Sequence, residues 1–283
     1  MVVIEAEGLV KRFGRVEALK GVSFRAGGRV VAIVGPNGCG KTTLLSIMVG
    51  VRRPSEGRLL LNGVEPYVRR EEVLKTVSFA FEKPRFNIGS RVEDVFSVAS
   101  ELCSDYGELK ALASELGLDP LRGRRLYELS SGEAQLVALT LALGCDKSAT
   151  AVLDEPLAHL DVGRQSALAR YISVRGEVVF TTHVFEEAEA LADDVVILNS
   201  GRVKWVGSVD DMFRDGLYEV LVRRSRLGEL AEGVGGCGGE ILADFGTYVV
   251  VRGVDEGVLE PLLRRGVLIG FRRAGLRVRV YGG

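Results

Sequence analysis

The 283-residue sequence predicts an α/β core joined to a smaller α+β module, and three observations support this fold class. Continuous apolar runs rich in β-branched residues are typical of strands that are buried on both faces of a parallel sheet. Helical periodicity replaces this pattern in the middle of the chain, and after Gly216 short strand-like and helical segments alternate. The predicted core strands are VVAIVG (30–35), TAVLDEP (150–156), EVVFTTH (177–183) and DVVILNSGR (194–202).

The segments around the first core strand predict a second, antiparallel sheet. VVIEAEGLVKRF, VSFRA and RLLLNGVE alternate apolar and polar residues and are bounded by glycine turns, as the strands of hairpins are. From about 84 to 145, segments such as VEDVFSVASELC and LKALASELGL have helical periodicity instead. We therefore expect a helical subdomain inserted into an α/β domain that spans residues 1–215.

Residues 216–283 predict the small C-terminal module. Their patterns follow the order strand, helix, two strands, helix, strand, which fits a ferredoxin-like arrangement. The segment carries no recognisable ligand motif, so a part in dimerisation, in regulation or only in the fold stays open for it.

Composition narrows the classes of function. The chain has 37 basic and 38 acidic residues, which gives no electrostatic reason to expect nucleic acid as a partner. The apolar runs are strand-length, shorter than the ~18 residues of a spanning helix, and the N-terminus lacks a signal-peptide pattern, so a cytosolic or peripheral protein is expected. The cysteines are far apart without a C-x-x-C pair and are expected to be reduced thiols; they are Cys39, Cys103, Cys145 and Cys237.

A phosphate-binding loop is predicted at GPNGCGKTT (35–43), which follows a buried strand and opens a helix. In this context the pattern G-x-x-x-x-G-K-[ST] lets backbone N–H groups surround the phosphates of a nucleotide at a helix N-terminus. Lys41 is expected to reach the β- and γ-phosphates, and Thr42 to bind Mg²⁺. The alternative is a glycine-rich turn that binds nothing.

Two carboxylates at the end of the strand TAVLDEP would complete such a site. Asp154 is expected to hold Mg²⁺ through water, and Glu155 to polarise the water that attacks the γ-phosphate. An ordinary acidic pair at a strand end is the alternative.

Four motifs in fixed order then resemble the nucleotide-binding subunit of an ATP-binding cassette (ABC) ATPase over residues 2–215: GPNGCGKTT, LSSGEAQLVAL, AVLDEPLAHLD and FTTHVFEEAEALADDVVIL. The resemblance implies a P-loop NTPase core, ATP and Mg²⁺ as ligands, and a dimer. LSSGEAQ stands where the family has its LSGGQ signature, which embraces the γ-phosphate bound to the opposite subunit. Ser130, Ser131 and Gly132 would expose backbone N–H groups there, and a serine would also cap the following helix.

The resemblance assigns further residues by position. His183 fits the switch histidine that orients water, although a lone histidine is more often structural. Asp161 fits the loop that crosses the dimer interface. Phe13 stands where an aromatic ring stacks on adenine, with core packing as its alternative. The residues expected to contact nucleotide are Phe13, Gly35, Asn37, Gly38, Cys39, Gly40, Lys41, Thr42, Thr43, Glu82, Ser130, Ser131, Gly132, Glu133 and Asp161.

The chain departs from the family pattern at four of these positions, and at one of them Ser131 replaces a glycine and adds a side chain at a tight contact. Glu82 stands where the Q-loop glutamine meets the metal and the attacking water, and Glu133 replaces the glutamine of LSGGQ. A carboxylate accepts hydrogen bonds and binds cations, but it cannot donate as an amide does. Glu82 is therefore counted with Thr42 and Asp154 as a metal ligand. Cys39 occupies a position that is usually Ala or Ser; it is either a small filler or, beside a helix N-terminus, a thiol with a lowered pKa.

The resemblance implies an ATPase subunit that drives separate membrane permease subunits from the cytoplasmic face of the membrane, together with a second, identical or different, nucleotide-binding subunit. The C-terminal module resembles the extra domain of cassettes from multidrug and two-component exporters, which favours export. The alternative is a soluble ABC-type ATPase that serves a protein machine. A P-loop kinase or GTPase would have no use for LSSGEAQ or HVFEEAEAL.

Overall fold

The computed structural model describes residues 1–84, 86, 89–104, 106–145, 150–212 and 216–276. The chain forms two compact units, Met1–Val206 and Gly207–Gly283. The boundary between the two units lies N-terminal to the domain boundary predicted at Gly216. Strand β9 (Arg202–Ser208) contains this boundary.

The first unit contains two sheets. An antiparallel sheet has the order β2-β1-β4 and consists of β1 (Val2–Phe13), β2 (Val16–Gly28) and β4 (Glu56–Leu61), as the alternating patterns predict. A six-stranded sheet has the order β5-β6-β7-β3-β8-β9. Its strands before β9 are β3 (Val30–Val34), β5 (Val77–Ala80), β6 (Thr150–Asp154), β7 (Val178–Thr182) and β8 (Asp194–Asn199).

The four predicted core strands are thus confirmed as β3, β6, β7 and β8. Strand β3 pairs in parallel with β7 and β8, and β6 pairs in parallel with β5 and β7. Every residue of β3, β6 and β7 is buried, which explains their continuous apolar runs. Strands β5 and β9 are not among the predicted core strands. Parallel pairing brings the carboxyl ends of β3, β6 and β7 to one edge of the sheet.

Helices pack around these sheets, and the helical stretch predicted between 84 and 145 is confirmed by α3, α4 and α5. The helices of the first unit are α1 (Lys41–Met48), α2 (Arg70–Thr76), α3 (Val92–Leu102), α4 (Tyr106–Glu115), α5 (Ser131–Gly144), α6 (Val162–Arg175) and α7 (Phe185–Leu191). Short 3₁₀ turns lie at Asp119–Leu121 and Leu126–Glu128. A continuous hydrophobic core joins the inner faces of the two sheets through side chains such as Ile4, Leu19, Ile33, Leu44 and Met48.

The second unit has the ferredoxin-like topology that the pattern order predicts. After α8 (Val209–Met212), its elements are β10 (Tyr218–Val222), a 3₁₀ turn (Arg224–Arg226), α9 (Leu227–Gly235), β11 (Glu240–Asp244), β12 (Val249–Arg252), α10 (Glu256–Arg264) and β13 (Leu268–Arg273). The sheet is antiparallel with the order β11-β12-β10-β13. Helices α9 and α10 cover the sheet with side chains that include Leu230 and Leu259, so the unit has a core of its own.

Among the residues that the structure describes, no helix combines the length and the apolar composition that crossing a bilayer demands.

A disulfide joins Cys103 and Cys145, so the expectation that all four cysteines are reduced thiols is wrong for this pair. Their Cα atoms are 4.6 Å apart although 42 positions separate them in sequence. Helices α3 and α5 end beside each other, and each cysteine immediately follows its helix. Sequence spacing alone does not reveal this proximity, because the fold creates it. Cys39 and Cys237 are free, as expected.

We expect the disulfide to stabilise the first unit substantially. In the chain-entropy model, closing a loop of this length constrains the unfolded chain and contributes about 4 kcal/mol. Cys103→Ser should lower the free energy of unfolding by up to about that amount, measured by urea denaturation under oxidising conditions. Cys237→Ser, which removes an exposed free thiol from the other unit, is the control and should leave the transition in place. Superimposable curves for Cys103→Ser and the wild type would contradict the expectation.

Candidate functional site

A cavity of about 470 Å³ lies at the edge of the sheet where β3, β6 and β7 end. It collects most of the side chains that the phosphate-site motifs predict, together with a few from neighbouring loops. The lining residues are Ala18, Asn37, Gly38, Gly40, Lys41, Thr42, Thr43, Glu82, Lys83, Glu155, Ala158, His159 and His183.

The loop between β3 and α1 has the backbone geometry of a phosphate cradle. Gly40 precedes α1 with φ 111°, a conformation that side-chain-bearing residues rarely adopt, and a Cβ there would lie 2.8 Å from the carbonyl oxygen of Ala18. At Gly35 a Cβ would lie 2.0 Å from the carbonyl oxygen of Leu198, so only glycine fits against β8. The free N–H groups of the first turn of α1 therefore border the cavity and provide donors for an anion.

Lys41 is almost fully buried at the start of α1 and is held by the same loop. Its Nζ donates to the carbonyl oxygens of Gly35 at 2.7 Å and Pro36 at 3.3 Å, and it lies 3.1 Å from Oε1 of Glu155. A buried ammonium group requires such oxygen partners. The Lys41 side chain thus folds back over the cradle, where phosphate oxygens can replace its carbonyl partners.

Thr42 and Asp154 form the metal-binding part of the site. The Thr42 hydroxyl donates to Oδ2 of Asp154 at 2.9 Å, and the Thr181 hydroxyl donates to Oδ1 at 2.7 Å. Burial raises the pKa of Asp154, and these two hydrogen bonds oppose that effect. A hydroxyl and a carboxylate on adjacent elements are the hard oxygen ligands that Mg²⁺ prefers. The residues present therefore fit the predicted ion.

Glu155 occupies the centre of the site in a strained conformation. Its φ is 49°, which is uncommon outside glycine, and its backbone is fixed from both sides. The amide donates to the Thr181 hydroxyl at 2.9 Å, and the carbonyl accepts from Nε2 of Gln135 at 2.9 Å. This conformation directs the carboxylate into the cavity rather than along the strand.

The Glu155 carboxylate contacts both other predicted catalytic residues. Oε2 accepts from Nδ1 of His183 at 2.8 Å and from the His183 amide at 3.3 Å. Oε1 is buried and, among the described residues, has the Lys41 ammonium nearby but no partner with hydrogen-bond geometry. Oε1 lies against the Lys41 ammonium in this structure, so it becomes an acceptor for water only when Lys41 turns to phosphate oxygens.

Of the remaining predicted residues, the structure places Glu82 at this cavity and the others outside it. Glu82 lines it and also a neighbouring cavity, which contains Thr42 and Asp154 as well. The predicted contacts that do not line the nucleotide cavity are Phe13, Gly35, Cys39, Ser130, Ser131, Gly132, Glu133 and Asp161.

Phe13 is 40% exposed at the end of β1, so its core-packing alternative is wrong. Nζ of Lys11 lies 5.3 Å from the ring centroid, and the Arg52 guanidinium lies 5.0 Å from it. These cations contact the ring through its π-electrons. The ring remains accessible for stacking, which stays a prediction.

The signature segment begins helix α5, and the expected serine cap is Ser130. Its hydroxyl accepts from the Glu133 amide at 3.3 Å, and its own amide donates to Oε2 of Glu133 at 2.7 Å. The Ser130 amide, its hydroxyl and the Arg124 guanidinium lower the pKa of Glu133. Glutamate in place of the usual glutamine thus has a structural reason, since Nη1 of Arg124 lies 2.8 Å from its second oxygen.

Asp161 has a similar capping role at the far end of the loop that starts at Glu155. Its Oδ1 accepts from the Arg164 amide at 3.0 Å, so Asp161 caps the N-terminus of α6. The carboxylate is largely exposed. It can therefore cap the helix and still contact a partner.

The hypothesis of a reactive thiol at Cys39 is wrong. The side chain is 3% exposed and packs in the main core, and burial raises its pKa more strongly than the nearby Lys41 lowers it. The small-filler interpretation agrees with this position, since a Cβ added at Gly35 would lie 2.8 Å from the Cys39 sulfur.

Maleimide should accordingly modify Cys237 and leave Cys39 intact in the folded, oxidised chain. The thiolate is the reacting form, and at Cys39 it is both disfavoured and shielded from solvent. Peptide mass spectrometry after brief labelling tests this, and labelling in denaturant is the control in which both cysteines react. Equal labelling of the two in the folded chain would contradict the burial.

Sequence reasoning missed four residues that support the site. Thr181 fixes both Asp154 and the Glu155 amide, and His159 lines the cavity. Gln135 holds the Glu155 carbonyl, while Gln165 donates to the carbonyl of Leu157 at 3.0 Å. These are the only two glutamines of the chain, and both fix the backbone that follows β6. Their rarity was the signal that could have identified them.

The fold and the site define a nucleotide-binding P-loop domain. The profile of the family described as ABC transporter matches residues 19–158. A solved structure titled as the ATP-binding subunit of an ABC transporter superimposes with a TM-score of 0.66 at 25% identity, covering 75% of this chain and 92% of that one.

Three proteins similar in sequence to this chain are named as import ATP-binding proteins. A sulfate/thiosulfate import ATP-binding protein CysA of Methylococcus capsulatus is 35% identical over 228 residues, 74% of this chain and 64% of its own length. CysA 1 of Chromobacterium violaceum is 32% identical over 262 residues, 85% of this chain and 72% of its own. A molybdenum import ATP-binding protein ModC of Yersinia pestis is 31% identical over 205 residues, 69% and 56% respectively.

The chain belongs to the ATP-binding cassette family of ABC transporters. The chain spans under two thirds of the length of two of these three relatives, the Methylococcus CysA and the Yersinia ModC. The relatives are named as import proteins, so the narrower expectation of a multidrug-exporter type is not confirmed.

Proposed function

We propose that the chain is the ATP-binding and ATP-hydrolysing subunit of an ABC transporter. The observation that carries this proposal is the position of Glu155, whose carboxylate lies between Lys41 and His183 beside the Thr42–Asp154 pair. Such a carboxylate suits the acceptor of a proton from water that attacks the γ-phosphate. Mg²⁺, held by Thr42, Asp154 and Glu82, would supply positive charge for the phosphate oxygens.

In the proposed hydrolysis, one set of groups binds the phosphates and another activates the water. The free N–H groups of the first turn of α1 bind the phosphates, and the Lys41 ammonium neutralises part of their charge. When Lys41 contacts the phosphates instead of Oε1, that oxygen of Glu155 becomes available to accept from water, while His183 holds Oε2 so that the carboxylate stays oriented. The imidazole carries its proton at Nδ1, as assigned from this carboxylate partner.

A second cassette is part of the proposal, because the signature segment does not line the nucleotide cavity of its own chain. Ser130 begins α5, so the amides of Ser131 and Gly132 belong to the first turn of that helix and have no intrahelical acceptor. Such amides suit the γ-phosphate of nucleotide held by another cassette. Asp161, exposed at the start of α6, is the proposed neighbour across the same interface.

A membrane permease is the second proposed partner. A cavity of about 600 Å³ with mainly apolar walls, including Phe79, Phe81 and Leu141, shares Glu82 and Asp154 with the site. An apolar segment of a permease seated there would contact residues that also respond to nucleotide. Under this proposal the chain binds peripherally, at the cytoplasmic face of a membrane. The direction of transport follows from the permease.

A soluble ABC-type ATPase that serves a protein machine is the alternative, and one experiment separates the two. Tagged Glu155→Gln protein with Mg²⁺ and ATP is used to capture partners from solubilised native membranes, followed by mass spectrometry. We expect to recover a multi-spanning protein. Its recovery should require ATP and should be lost in Phe79→Asp, which puts a charge into the wall of the apolar cavity. Lys41→Ala, which is expected to bind ATP much more weakly, is the control for ATP dependence. Recovery of soluble partners alone would favour the protein machine.

A further inference from the structure

The chain has two histidines, His159 and His183, and both line the nucleotide cavity. His159 lies in the loop between β6 and α6, four positions after Glu155 and two before the capping residue Asp161. None of the motifs assigns it a role. Its φ of 62° belongs to the left-handed region, which costs roughly 1–2 kcal/mol for a residue with a Cβ. Strain of this kind is concentrated at functional sites.

The His159 side chain is 71% exposed, so packing does not explain its position. The turn that carries it is held by the Ala158 amide, which donates to the Glu155 carbonyl at 3.2 Å. The same carbonyl accepts from Gln135. The loop that orients the central carboxylate therefore also directs the His159 ring into the cavity.

The partner of His159 is Glu82, on the loop that follows β5. The distance between Nε2 of His159 and Oε1 of Glu82 is 3.6 Å. Nζ of Lys83 lies 4.0 Å from the same oxygen, and its side chain is largely exposed. Glu82 lines both the nucleotide cavity and the apolar cavity beside it.

The chemistry of the two side chains is complementary at a position where the family has a glutamine. An amide offers one acceptor oxygen and N–H donors, whereas an ionised carboxylate offers acceptors alone. An imidazole carrying its proton at Nε2 adds an N–H donor within reach of the same space. Glu82 and His159 together thus present the acceptor and the donor that one amide would present.

We infer that His159 is a positioning residue for the proposed hydrolysis, which supplies beside Glu82 the N–H donor that an amide at position 82 would supply itself. The inference rests on the proposed function. It assigns His159 to the orientation of Glu82 and of the water that Glu82 contacts. Nucleotide affinity depends on the phosphate cradle instead and is independent of His159.

The test is a double-mutant cycle in steady-state ATP hydrolysis with Mg²⁺. His159→Ala should lower kcat about tenfold, the value of one lost hydrogen-bond donor, and leave KM for ATP within about twofold. The double variant His159→Ala/Glu82→Gln should recover to within about threefold of the wild type, because its amide carries both functions. His159→Gln, which keeps an N–H donor at a similar reach, should retain more activity than His159→Ala.

The control is Val174→Ala, an exposed position on α6 outside the cavity, which should leave kcat unchanged. Circular dichroism melting should be alike for all variants, since the His159 ring is exposed. Equal kcat for His159→Ala and the wild type, or a double variant no faster than His159→Ala, would overturn this inference alone. A wild-type chain without ATPase activity would overturn the proposed function and the inference with it.

Discussion

Glu155→Gln is expected to lower the rate of ATP hydrolysis by about 100-fold or more while nucleotide binding persists. The substitution keeps the size of the side chain but removes a proton acceptor that general acid–base catalysis requires, and such removal typically costs 10²–10⁴ in rate. Binding should be retained, because the glycine cradle, Lys41 and the Thr42–Asp154 pair remain in place. Phosphate release at saturating ATP measures the rate, and titration with a fluorescent ATP analogue measures affinity.

Glu187→Gln is the matched control for this result. Glu187 is also partly buried near the end of β7, where it accepts a hydrogen bond from the Thr182 hydroxyl at 2.5 Å. Burial raises the pKa of its carboxyl, and it does not line the nucleotide cavity. Its replacement should leave the rate within about threefold. Wild-type activity in Glu155→Gln would show that another group accepts the proton.

Lys41→Ala should weaken ATP binding by about 100-fold or more. The Nζ atom is the buried cation beside the cradle, and charge-assisted bonds to phosphate oxygens are roughly twice as strong as neutral ones. Titration with the fluorescent analogue measures the loss. Lys204→Ala, which removes an exposed cation on β9, is the control and should bind like the wild type.

The same change should also destabilise the chain, because it leaves the buried Glu155 carboxylate without its cation. Breaking a buried pair from one side costs on the order of 3–5 kcal/mol. The double variant Lys41→Ala/Glu155→Gln removes both charges and should recover much of the thermal stability but none of the affinity. Unchanged affinity in Lys41→Ala would contradict the assignment of the cradle.

The elements that could be predicted from sequence are those whose signal is local. Strand β3 reads as VVAIV because both of its faces are buried, and the βαββαβ order of the second unit follows from turns and periodicity. Strand β5 was missed because it has only four residues, VSFA, and two of them are not buried. In the site, GKTT and LDEP are short contiguous motifs, so Lys41, Thr42, Asp154 and Glu155 could be named in advance.

The rest depends on contacts between distant segments. The Cys103–Cys145 disulfide arises where two helices end together, and Thr181 and Gln135 reach Glu155 from other elements. The burial of Cys39 depends on the main core, which reverses the expectation from its place beside a helix N-terminus. Glu133 became explicable only with Arg124 in contact with it.

The measurement that tests the account most directly is the molar mass of purified Glu155→Gln by light scattering with Mg²⁺ and ATP. In the proposed function a second cassette supplies the signature segment, and this measurement tests whether a second copy of this chain can do so, since the variant retains the nucleotide that the two cassettes would enclose. We expect twice the monomer mass with ATP, the monomer mass with ADP, and the monomer mass with ATP in Glu155→Gln/Ser131→Arg, whose larger side chain blocks the signature amides. A Glu155→Gln chain that stays monomeric with ATP demonstrably bound would contradict the shared site.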